Sequence, residues 1–327
     1  MSPSSVGTAR TPAARLRSHD RQEGNQEMTT LLRSRPAWLD RDSWWYARLY
    51  PGGLDHLDMA VRQLLPPLAA TAHDADGRWF FIRYTDFRGP HLRLRIRGSR
   101  SLLDPLQRSV PTLARACLDL SQAATAPFTA LVPLDTSFFS GDYAGADTAL
   151  YEPEWAKYGG QEGVAAAEQL FEISSEIALA AASLDKATDR AALTVLLMQT
   201  SVATVQSVHG TRPGSPPPAI YWERHLMWWT RDAGSHAEQL KSSLRKRADA
   251  AGNVHSAVRR LAEDPGTTSL LQRWSVNVSA YLDEVRKKAV PKTPGHLIFH
   301  QNHMMANRLG ILPREEAVLG IVAAGYA

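Results

Sequence analysis

Arginine residues are concentrated on one predicted hairpin, and their spacing favours the binding of an anion. In the sequence HLRLRIR at residues 91–97, basic residues alternate strictly with aliphatic ones. Because successive side chains of a strand point to opposite faces, Arg93 and Arg95 should share one face, with a buried aliphatic layer behind them. Arg83 and Arg88 belong to the same hairpin, and clustered guanidinium groups repel unless carboxylates or an anionic ligand lie among them. The same alternation is typical of any half-exposed antiparallel strand, so a structural interpretation stays open.

A second group of reactive side chains lies in the sequence YEPEWAKYGG at residues 151–160. Tyr158 directly precedes a pair of glycines, and glycine lets a backbone approach a ligand closely because it has no side chain. The alternative interpretation is an ordinary turn at the start of a helix, decorated with polar residues.

A third group lies in SPPPAIYWERHLMWW at residues 215–229. Tyr221 and His225 are four residues apart and would share a helix face, where a hydroxyl beside an imidazole can relay a proton. Aromatic residues at this spacing also commonly fill a hydrophobic core, which is the alternative interpretation.

A fourth group lies in HLIFHQNHMMANRLG at residues 296–310, where three histidines at spacings of four and three precede Asn307 and Arg308. Histidines on adjoining helical turns beside an arginine suit acid–base chemistry. They lack a carboxylate at matching spacing, so we predict no metal site. The chain also has no Walker loop and no GxGxxG after a predicted strand, which argues against a nucleotide site.

The elements that must position these groups predict an α+β fold. Strands are expected at residues 43–50, 77–85, 90–97 and 128–134, with helices at 54–72 and 102–120. This order of strand, helix, strand, strand, helix, strand is the split βαβ arrangement of ferredoxin-like domains, an antiparallel sheet with helices on one face. A long helix follows the glycine pair, and the rest is predicted to be helical at 188–209, 219–230, 235–262, 269–288 and 295–309.

Composition divides the chain into two parts. Residues 1–38 lack apolar periodicity and are predicted to form a disordered basic tail. Residues 39–327 are predicted to form a single catalytic domain, in which residues 39–140 carry the sheet and residues 141–327 are mainly helical.

Charge and cysteine content limit the classes of binding partner and the cellular compartment that we expect. The 327 residues include 37 Lys and Arg against 33 Asp and Glu, a formal charge of +4. This mild excess suits an acidic peptide partner and is far below what a dedicated nucleic-acid-binding protein shows. Cys117 is the single cysteine, so no intrachain disulfide is possible and we expect a reducing, cytoplasmic location. No uninterrupted apolar run approaches about 18 residues, which predicts no membrane span.

Three motifs together resemble a known family. WFFIRYTDFRGPHLRLRI, YEPEWAKYGG and HMMANRLG occur in this order and are similar to the C-terminal elimination domain of class I lantibiotic dehydratases and its stand-alone relatives in thiopeptide biosynthesis. The resemblance covers residues 42–325. It implies either removal of glutamate from glutamylated serine or threonine, or a formal aza-[4+2] cycloaddition. The second reaction joins two dehydroalanines into the pyridine of a thiopeptide macrocycle and expels the leader peptide.

One motif favours the cycloaddition. For elimination, the resemblance would assign Arg93, Arg95 and His303. In elimination domains, however, the tyrosine-rich motif typically reads YxREIERYGG, and here Pro153 and Lys157 occupy its two arginine positions. Proline offers no donor, and lysine cannot form the planar fork that arginine presents to a carboxylate. The sequence therefore predicts a pyridine synthase.

The resemblance and the residue chemistry together give a candidate site for that reaction. One group stabilises the 2-azadiene tautomer or acts as acid or base when water and the leader amide are lost, and comprises Tyr221, Ser215, His225, His303 and Tyr158. A second group holds and encloses the substrate, and comprises Arg83, Arg93, Arg95, Trp222, Trp229, Asn307 and Arg308. We expect no cofactor, because holding two alkenes in contact can itself supply about 7–11 kcal/mol.

The expected partner is the acidic leader of a dehydrated, azole-containing precursor peptide. The basic run at residues 241–260 offers a surface for it, although a solvated helix face has the same composition. Other enzymes of the same biosynthetic cluster are possible further partners. A different class of function also stays open, in which the protein is a non-catalytic scaffold that binds the precursor peptide.

Overall fold

The sheet of the computed structural model has four strands, β1 (Ser43–Pro51), β2 (Arg78–Asp86), β3 (Gly89–Gly98) and β4 (Ala144–Thr148). Their order is β2, β3, β1, β4, and all neighbours are antiparallel. The structure describes residues 42–132, 141–184, 186–209, 222–223, 226–227 and 230–325. The predicted tail at residues 1–38 lies outside these ranges.

Two helices cover one face of this sheet. Helix α1 (Leu57–Asp74) connects β1 to β2, and α2 (Arg100–Ser121) connects β3 to β4. The order of strands and helices, with β3 placed between β1 and β2, is the split βαβ arrangement. The predicted α+β class is therefore confirmed.

The alternation along β3 gives the two faces predicted for it. Leu92, Leu94 and Ile96 are fully buried in the apolar core that includes α1 and α2. Burying each such side chain contributes roughly 1.5–3 kcal/mol. Arg95 lies on the opposite face, because successive side chains of a strand alternate. A slip of one residue would exchange the buried and the basic sets, so the register of β3 is strongly determined.

The fourth strand is not where the sequence predicted it. Of the predicted strand 128–134, the described residues 128–132 have no strand structure. The backbone N–H of Phe128 donates to Asp55 at 2.7 Å, and that of Leu131 donates to Glu315, so carboxylates take the place of a neighbouring strand. Strand β4 pairs with β1 instead, although its sequence AGADT has little β propensity. The sheet therefore extends into the part of the chain that was predicted to be mainly helical.

The remaining helices follow β4: α3 (Trp155–Tyr158), α4 (Gln161–Ala180), α5 (Ala187–His209), α6 (Ala237–Asp249), α7 (Gly252–Ala262), α8 (Pro265–Lys287), α9 (Pro294–Arg308) and α10 (Pro313–Gly325). They confirm the helical half, but the predicted helix 235–262 is divided into α6 and α7. Much of the predicted helix 219–230 lies outside the described residues. By length and composition alone, α5 could cross a membrane, yet 56% of the residues in its apolar window are buried, as in the core helix of a soluble protein.

Side chains from α4 and α9 cap the outer edge of β2. The backbone N–H groups of Trp79 and Phe81 donate to Glu172 and Ser175 of α4, both at 3.2 Å. The edge of a sheet carries backbone donors that need partners. These bonds therefore join the sheet directly to the helical half, with the candidate site next to the junction.

A bridging carboxylate holds two buried arginines together behind the sheet. Asp58 of α1 accepts from Arg83 of β2 and from Arg190 of α5, each at 2.6 Å. Burial raises the pKa of Asp58, but the two guanidinium groups lower it more, so that it lies below its ordinary value. The stability from this bridge is thus present above the unfolded pKa of about 3.9 and is lost as pH falls through the lower folded value.

We expect Asp58→Asn to lower the free energy of unfolding by about 3 kcal/mol, because it leaves two buried guanidinium groups without their counterion. Urea denaturation at pH 7 measures this change. Asp104→Asn is the matched control, because Asp104 pairs with Arg100 on the surface of α2 and its loss should cost less than about 1 kcal/mol. Equal stability of the two variants would contradict this role of Asp58.

Candidate active site

Arg95 lies in a cage of aromatic rings on the basic face of β3. Its guanidinium carbon is 4.6 Å from the ring centre of Tyr46, 5.0 Å from that of Tyr151 and 5.4 Å from that of Phe80. Its Nε is buried and has no hydrogen-bond partner among the described residues. Burial lowers the pKa of Arg95, and no described carboxylate forms a hydrogen bond that would restore it. The ring faces stabilise the cation. Glu154 and Glu168 lie near enough to act on its charge, but neither forms a direct ion pair with it among the described contacts.

A second buried guanidinium, that of Arg308 in α9, lies beside the first. Its Nε donates to Ser175 at 3.0 Å, but Nη1 and Nη2 are buried without a partner among the described residues. Burial, together with the charge of Arg95, lowers the pKa of Arg308 to about 9. The two cations therefore lie near one another. The ring of Phe171 lies 5.1 Å from the Arg308 guanidinium carbon and covers it.

Three buried polar side chains extend in sequence of contact from Arg308, and with it they form what we call the buried polar cluster: Arg308, Tyr158, Tyr281 and Gln301. Tyr158 lies close enough to Arg308 and to Tyr281 to interact with both, and the Tyr281 hydroxyl faces the side chain of Gln301. The Tyr158 hydroxyl and both Nη atoms of Arg308 are buried without a hydrogen-bond partner in the described part of the chain. Buried polar groups are normally bonded. Unbonded donors at and beside a cation suit a ligand that carries oxygen atoms, such as a carboxylate or a peptide carbonyl.

Tyr158 keeps its proton in this setting. Burial raises its pKa well above the ordinary value, and Glu154 and Tyr281 add to the rise. The phenol therefore stays protonated near neutral pH and can donate a hydrogen bond. Of the two roles that the sequence left open for Tyr158, acid or base, this environment suits the acid.

His303 lies on α9 and is paired with a buried carboxylate of α10. Its Nδ1 lies 2.7 Å from Oε2 of Glu316, and Glu316 is 1% exposed whereas the His303 side chain is 21% exposed. A carboxylate beside one imidazole nitrogen favours the proton on that nitrogen. No local pattern in the sequence distinguishes Glu316.

The other two histidines of α9 connect it to the tyrosine-rich motif. The Nε2 of His296 lies 3.0 Å from the carbonyl oxygen of Lys157, and the rings of His296 and His300 are 4.5 Å apart. The ring of His300 is 6.2 Å from that of Tyr158. Helix α9 thus brings two of the four predicted groups together.

The tyrosine-rich motif itself is internally paired. The Nζ of Lys157 lies 2.7 Å from a carboxylate oxygen of Glu154. Gly159 has φ +83°, and a Cβ at this position would come within 2.7 Å of Val290 and 2.9 Å of Lys292. This glycine is therefore required by the packing of a neighbouring loop, whereas the sequence had suggested the approach of a ligand.

Three residues predicted to bind substrate have partners within the fold. The Arg83 guanidinium is bonded to Asp58, and the side-chain amide of Asn307 accepts from the backbone N–H of Arg83 and donates to its carbonyl, both at 2.8 Å. Arg93 lies 3.3 Å from the ring centre of Tyr84 and donates from Nε to His91 at 3.3 Å. We leave Arg83 and Asn307 out of the proposed site because these bonds explain them.

The remaining predicted residues belong to the third motif. Trp222 is buried, with its ring 5.4 Å from that of Phe299 and in close contact with Gly320 of α10. This packing is typical of a core residue. The other predicted members of this motif lie outside the described residues: Ser215, Tyr221, His225 and Trp229. Their assignment stays a prediction.

Residues that could ligate a metal ion lie elsewhere in the described chain. His73, Glu172 and Glu176 place ligand atoms within 4.8 Å of one another. Arg78 and Arg273 pair with these two carboxylates. Because guanidinium groups already neutralise the carboxylates, this group is an ion-pair network between α1, β2, α4 and α8.

The basic run at residues 241–260 is partly neutralised. Lys241 pairs with Glu238 at 2.6 Å, and Arg260 pairs with Asp189. Solvent-exposed pairs such as these contribute little stability, but they reduce the positive charge available to an acidic partner.

The chain belongs to the lantibiotic biosynthesis dehydratase C-terminal family, whose model matches residues 44–327. No curated protein matches the chain. The identification confirms the family indicated by the hairpin, the tyrosine-rich motif and the HMMANRLG segment.

Solved structures share this fold at low sequence identity. TsrL is 14% identical, with a TM-score of 0.58 over 87% of this chain and 94% of TsrL. The pyridine synthase TbtD from thiomuracin biosynthesis is also 14% identical, with a TM-score of 0.52 over 86% of this chain and 96% of TbtD. The tRNA-dependent lantibiotic dehydratase MibB from Microbispora sp. 107891 is 21% identical, with a TM-score of 0.47 over 86% of this chain. This chain spans 27% of MibB.

We expect Arg308→Met to raise the free energy of unfolding by about 1 kcal/mol, because an apolar side chain of similar length removes a buried, uncompensated charge. Arg83→Met is the matched control and should lower it by about 3 kcal/mol, because Arg83 is buried but paired with Asp58. Urea denaturation of both variants tests the contrast. Similar destabilisation by the two substitutions would mean that Arg308 is neutralised within the folded chain.

Proposed function

We propose that this protein is a pyridine synthase that catalyses a formal aza-[4+2] cycloaddition between two dehydroalanines of a modified ribosomal precursor peptide. The product is the central pyridine of a thiopeptide macrocycle, released with loss of water and the leader peptide. The replacement of both arginines of the elimination motif, by Pro153 and Lys157, carries the choice between the two family activities. Proline offers no donor, and the lysine that stands in place of the second arginine cannot form a planar fork to a carboxylate and is paired with Glu154. Alignment over 96% of the pyridine synthase TbtD is a further support.

The first step is the conversion of an amide into a 2-azadiene. One dehydroalanine amide loses its N–H proton while its oxygen gains a proton or negative charge, which gives C=C–N=C–O. Donors placed at that oxygen stabilise it most where water is excluded. Arg95, Arg308 and Tyr158 supply such donors from buried positions.

Ring closure requires the azadiene and the second alkene to be held in contact. Tyr46, Phe80 and Tyr151 surround Arg95, and Phe171 covers Arg308. Such an apolar enclosure beside cationic donors can confine two alkenes while binding the amide oxygen between them. Confinement of this kind lowers a barrier by about 7–11 kcal/mol when the geometry is good.

Aromatisation then removes two groups from the new ring. The former amide oxygen leaves as water with one ring proton, and the leader leaves as its carboxamide with another. Each departure needs a base at the ring carbon and an acid at the leaving group. We assign His303 to proton abstraction and Tyr158 to donation, because Tyr158 is held in its protonated form.

The proposed setting is a cytoplasmic, cofactor-independent enzyme whose partner is a peptide. The substrate class follows from the reaction, because two dehydroalanines in one chain are made by prior dehydration of a ribosomal peptide. We retain the acidic leader as partner, together with other enzymes that modify the same peptide. Neutralised side chains at residues 241–260 make that run a weaker surface for the leader.

We expect purified protein to convert a leader-bearing peptide with two dehydroalanines and thiazoles into a pyridine macrocycle plus free leader carboxamide. Mass spectrometry should detect both products in equal amounts without any added cofactor. An unchanged substrate beside an active reference enzyme would refute the proposal. Tight binding of the leader without any mass change would instead favour the non-catalytic scaffold.

We expect Arg95→Gln to lower turnover by about 100-fold, because one charge-assisted donor to the developing oxyanion is lost. Arg97→Gln is the matched control. Arg97 lies two residues further on the same face of β3, but its side chain is 42% exposed. Its substitution should change turnover by less than about threefold. Equal effects of the two substitutions on macrocycle formation would show that the caged position of Arg95 has no special role.

Glutamate elimination is the second candidate function, and the buried polar cluster is the observation that favours it. Guanidinium groups without counterions bind carboxylates strongly, and glutamate carries one. A peptide with glutamylated serine should then lose glutamate in the presence of this protein. Under this alternative, Arg95→Ala should cause the glutamylated species to accumulate in a coupled assay.

A further inference from the structure

We propose that Glu316 is a positioning residue that sets the proton position and the orientation of His303. Their contact is a 2.7 Å hydrogen bond between Nδ1 of His303 and Oε2 of Glu316. It joins two different helices, α9 and α10, and its acceptor is almost completely buried while the imidazole is partly exposed. A buried carboxylate behind a more accessible imidazole orients that ring from its inner side.

The start of the helix that carries Glu316 favours a negative charge there. Helix α10 begins at Pro313, so Glu316 lies in its first turns, where backbone N–H groups favour negative charge. The backbone donors at this end are served by the neighbouring residue, because Glu315 accepts from the N–H of Leu312 at 3.1 Å and from that of Leu131. The two adjacent glutamates therefore have separate roles: Glu315 caps the helix and holds a loop, and Glu316 serves His303.

The bond determines which nitrogen can exchange protons with a substrate. With Nδ1 donating to Glu316, the neutral ring carries its proton on Nδ1, and Nε2 is the basic atom. When Nε2 accepts a proton, the carboxylate stabilises the resulting imidazolium, as an orienting acid does in other acid–base pairs. Without Glu316, Nδ1 loses this acceptor and the other tautomer becomes available, in which Nδ1 is the basic atom.

The kinetic part of this inference rests on the proposed function, whereas the part about the proton position concerns the resting protein alone. The first experiment therefore needs no substrate. Protein with ¹⁵N-labelled histidine is examined by NMR through the two-bond couplings of the ring, which reveal the protonated nitrogen. The His303 signals are assigned by their absence in His303→Gln. We expect the proton on Nδ1 in the wild-type protein, and a proton on Nε2 would overturn the proposal whatever the variants do.

Glu316→Gln and Glu315→Gln then form a matched pair of buried substitutions in neighbouring positions. We expect Glu316→Gln to shift the His303 ring to a mixture of tautomers, because an amide can donate to Nδ1 as well as accept from it. Glu315→Gln should leave the His303 signals unchanged even if it lowers stability. Glu316→Asp, which keeps the charge, should restore most of the Nδ1 form. If Glu316→Gln fails to fold, the proton position in the wild-type protein remains the deciding test.

The turnover of the same variants separates positioning from binding. Macrocycle formation should show kcat lowered by about 100-fold in Glu316→Gln, with KM changed by less than about threefold. Glu316→Asp should recover part of kcat. If the wild-type tautomer is as expected and no variant or wild-type protein forms macrocycle, the proposed function fails while the positioning role stands. A Glu316→Gln protein with normal kcat and an unchanged tautomer would refute the positioning role itself.

Discussion

The burial of two cations without matching anions is the constraint on which the rest of the structure depends. Transfer of an ion out of water costs several kcal/mol even after the protein relaxes, and a domain is stable by only about 5–15 kcal/mol. The same chain pairs Arg83 and Arg190 with one carboxylate, so it neutralises its structural arginines. Arg95 and Arg308 differ because aromatic rings cover them and no described carboxylate forms an ion pair with either, although Glu154 and Glu168 act on Arg95 from nearby. We interpret that difference as evidence for a substrate site. The aliphatic core of the sheet offsets the cost of burying these two cations.

The fold could be predicted where one interaction dominates locally. Strict alternation along β3 predicts its two faces because a slip of one residue would bury charge. Strand β4 could not be predicted, because the formation of a short edge strand depends more on the free edge of its neighbour, here β1, than on the β propensity of its own residues. Phe128 and Leu131 misled the prediction because carboxylates 73 and 184 residues away bind their backbone N–H groups. Partners so remote leave no local pattern in a sequence.

The candidate site was predictable in its residue types but not in their environments. Arg83 and Arg95 have the same appearance in the hairpin sequence, yet one is bonded to Asp58 and the other is caged by rings. Burial raises the pKa of Tyr158 and so keeps the phenol protonated, and burial is not visible in a tyrosine beside two glycines. Glu316 is one of two adjacent glutamates, and only the distance to His303 distinguishes it.

The amide of Asn307 holds the backbone of β2 through both of its groups, and Arg308 is the next residue of the same helix. One residue of an α-helix corresponds to a rotation of about 100°. An insertion or deletion between the start of α9 and Asn307 would turn the histidines of this helix relative to the anchor. An insertion between Asn307 and Arg308 would turn the guanidinium away from Tyr158. The bond between one amide and an edge strand therefore sets the rotational phase of the whole helix.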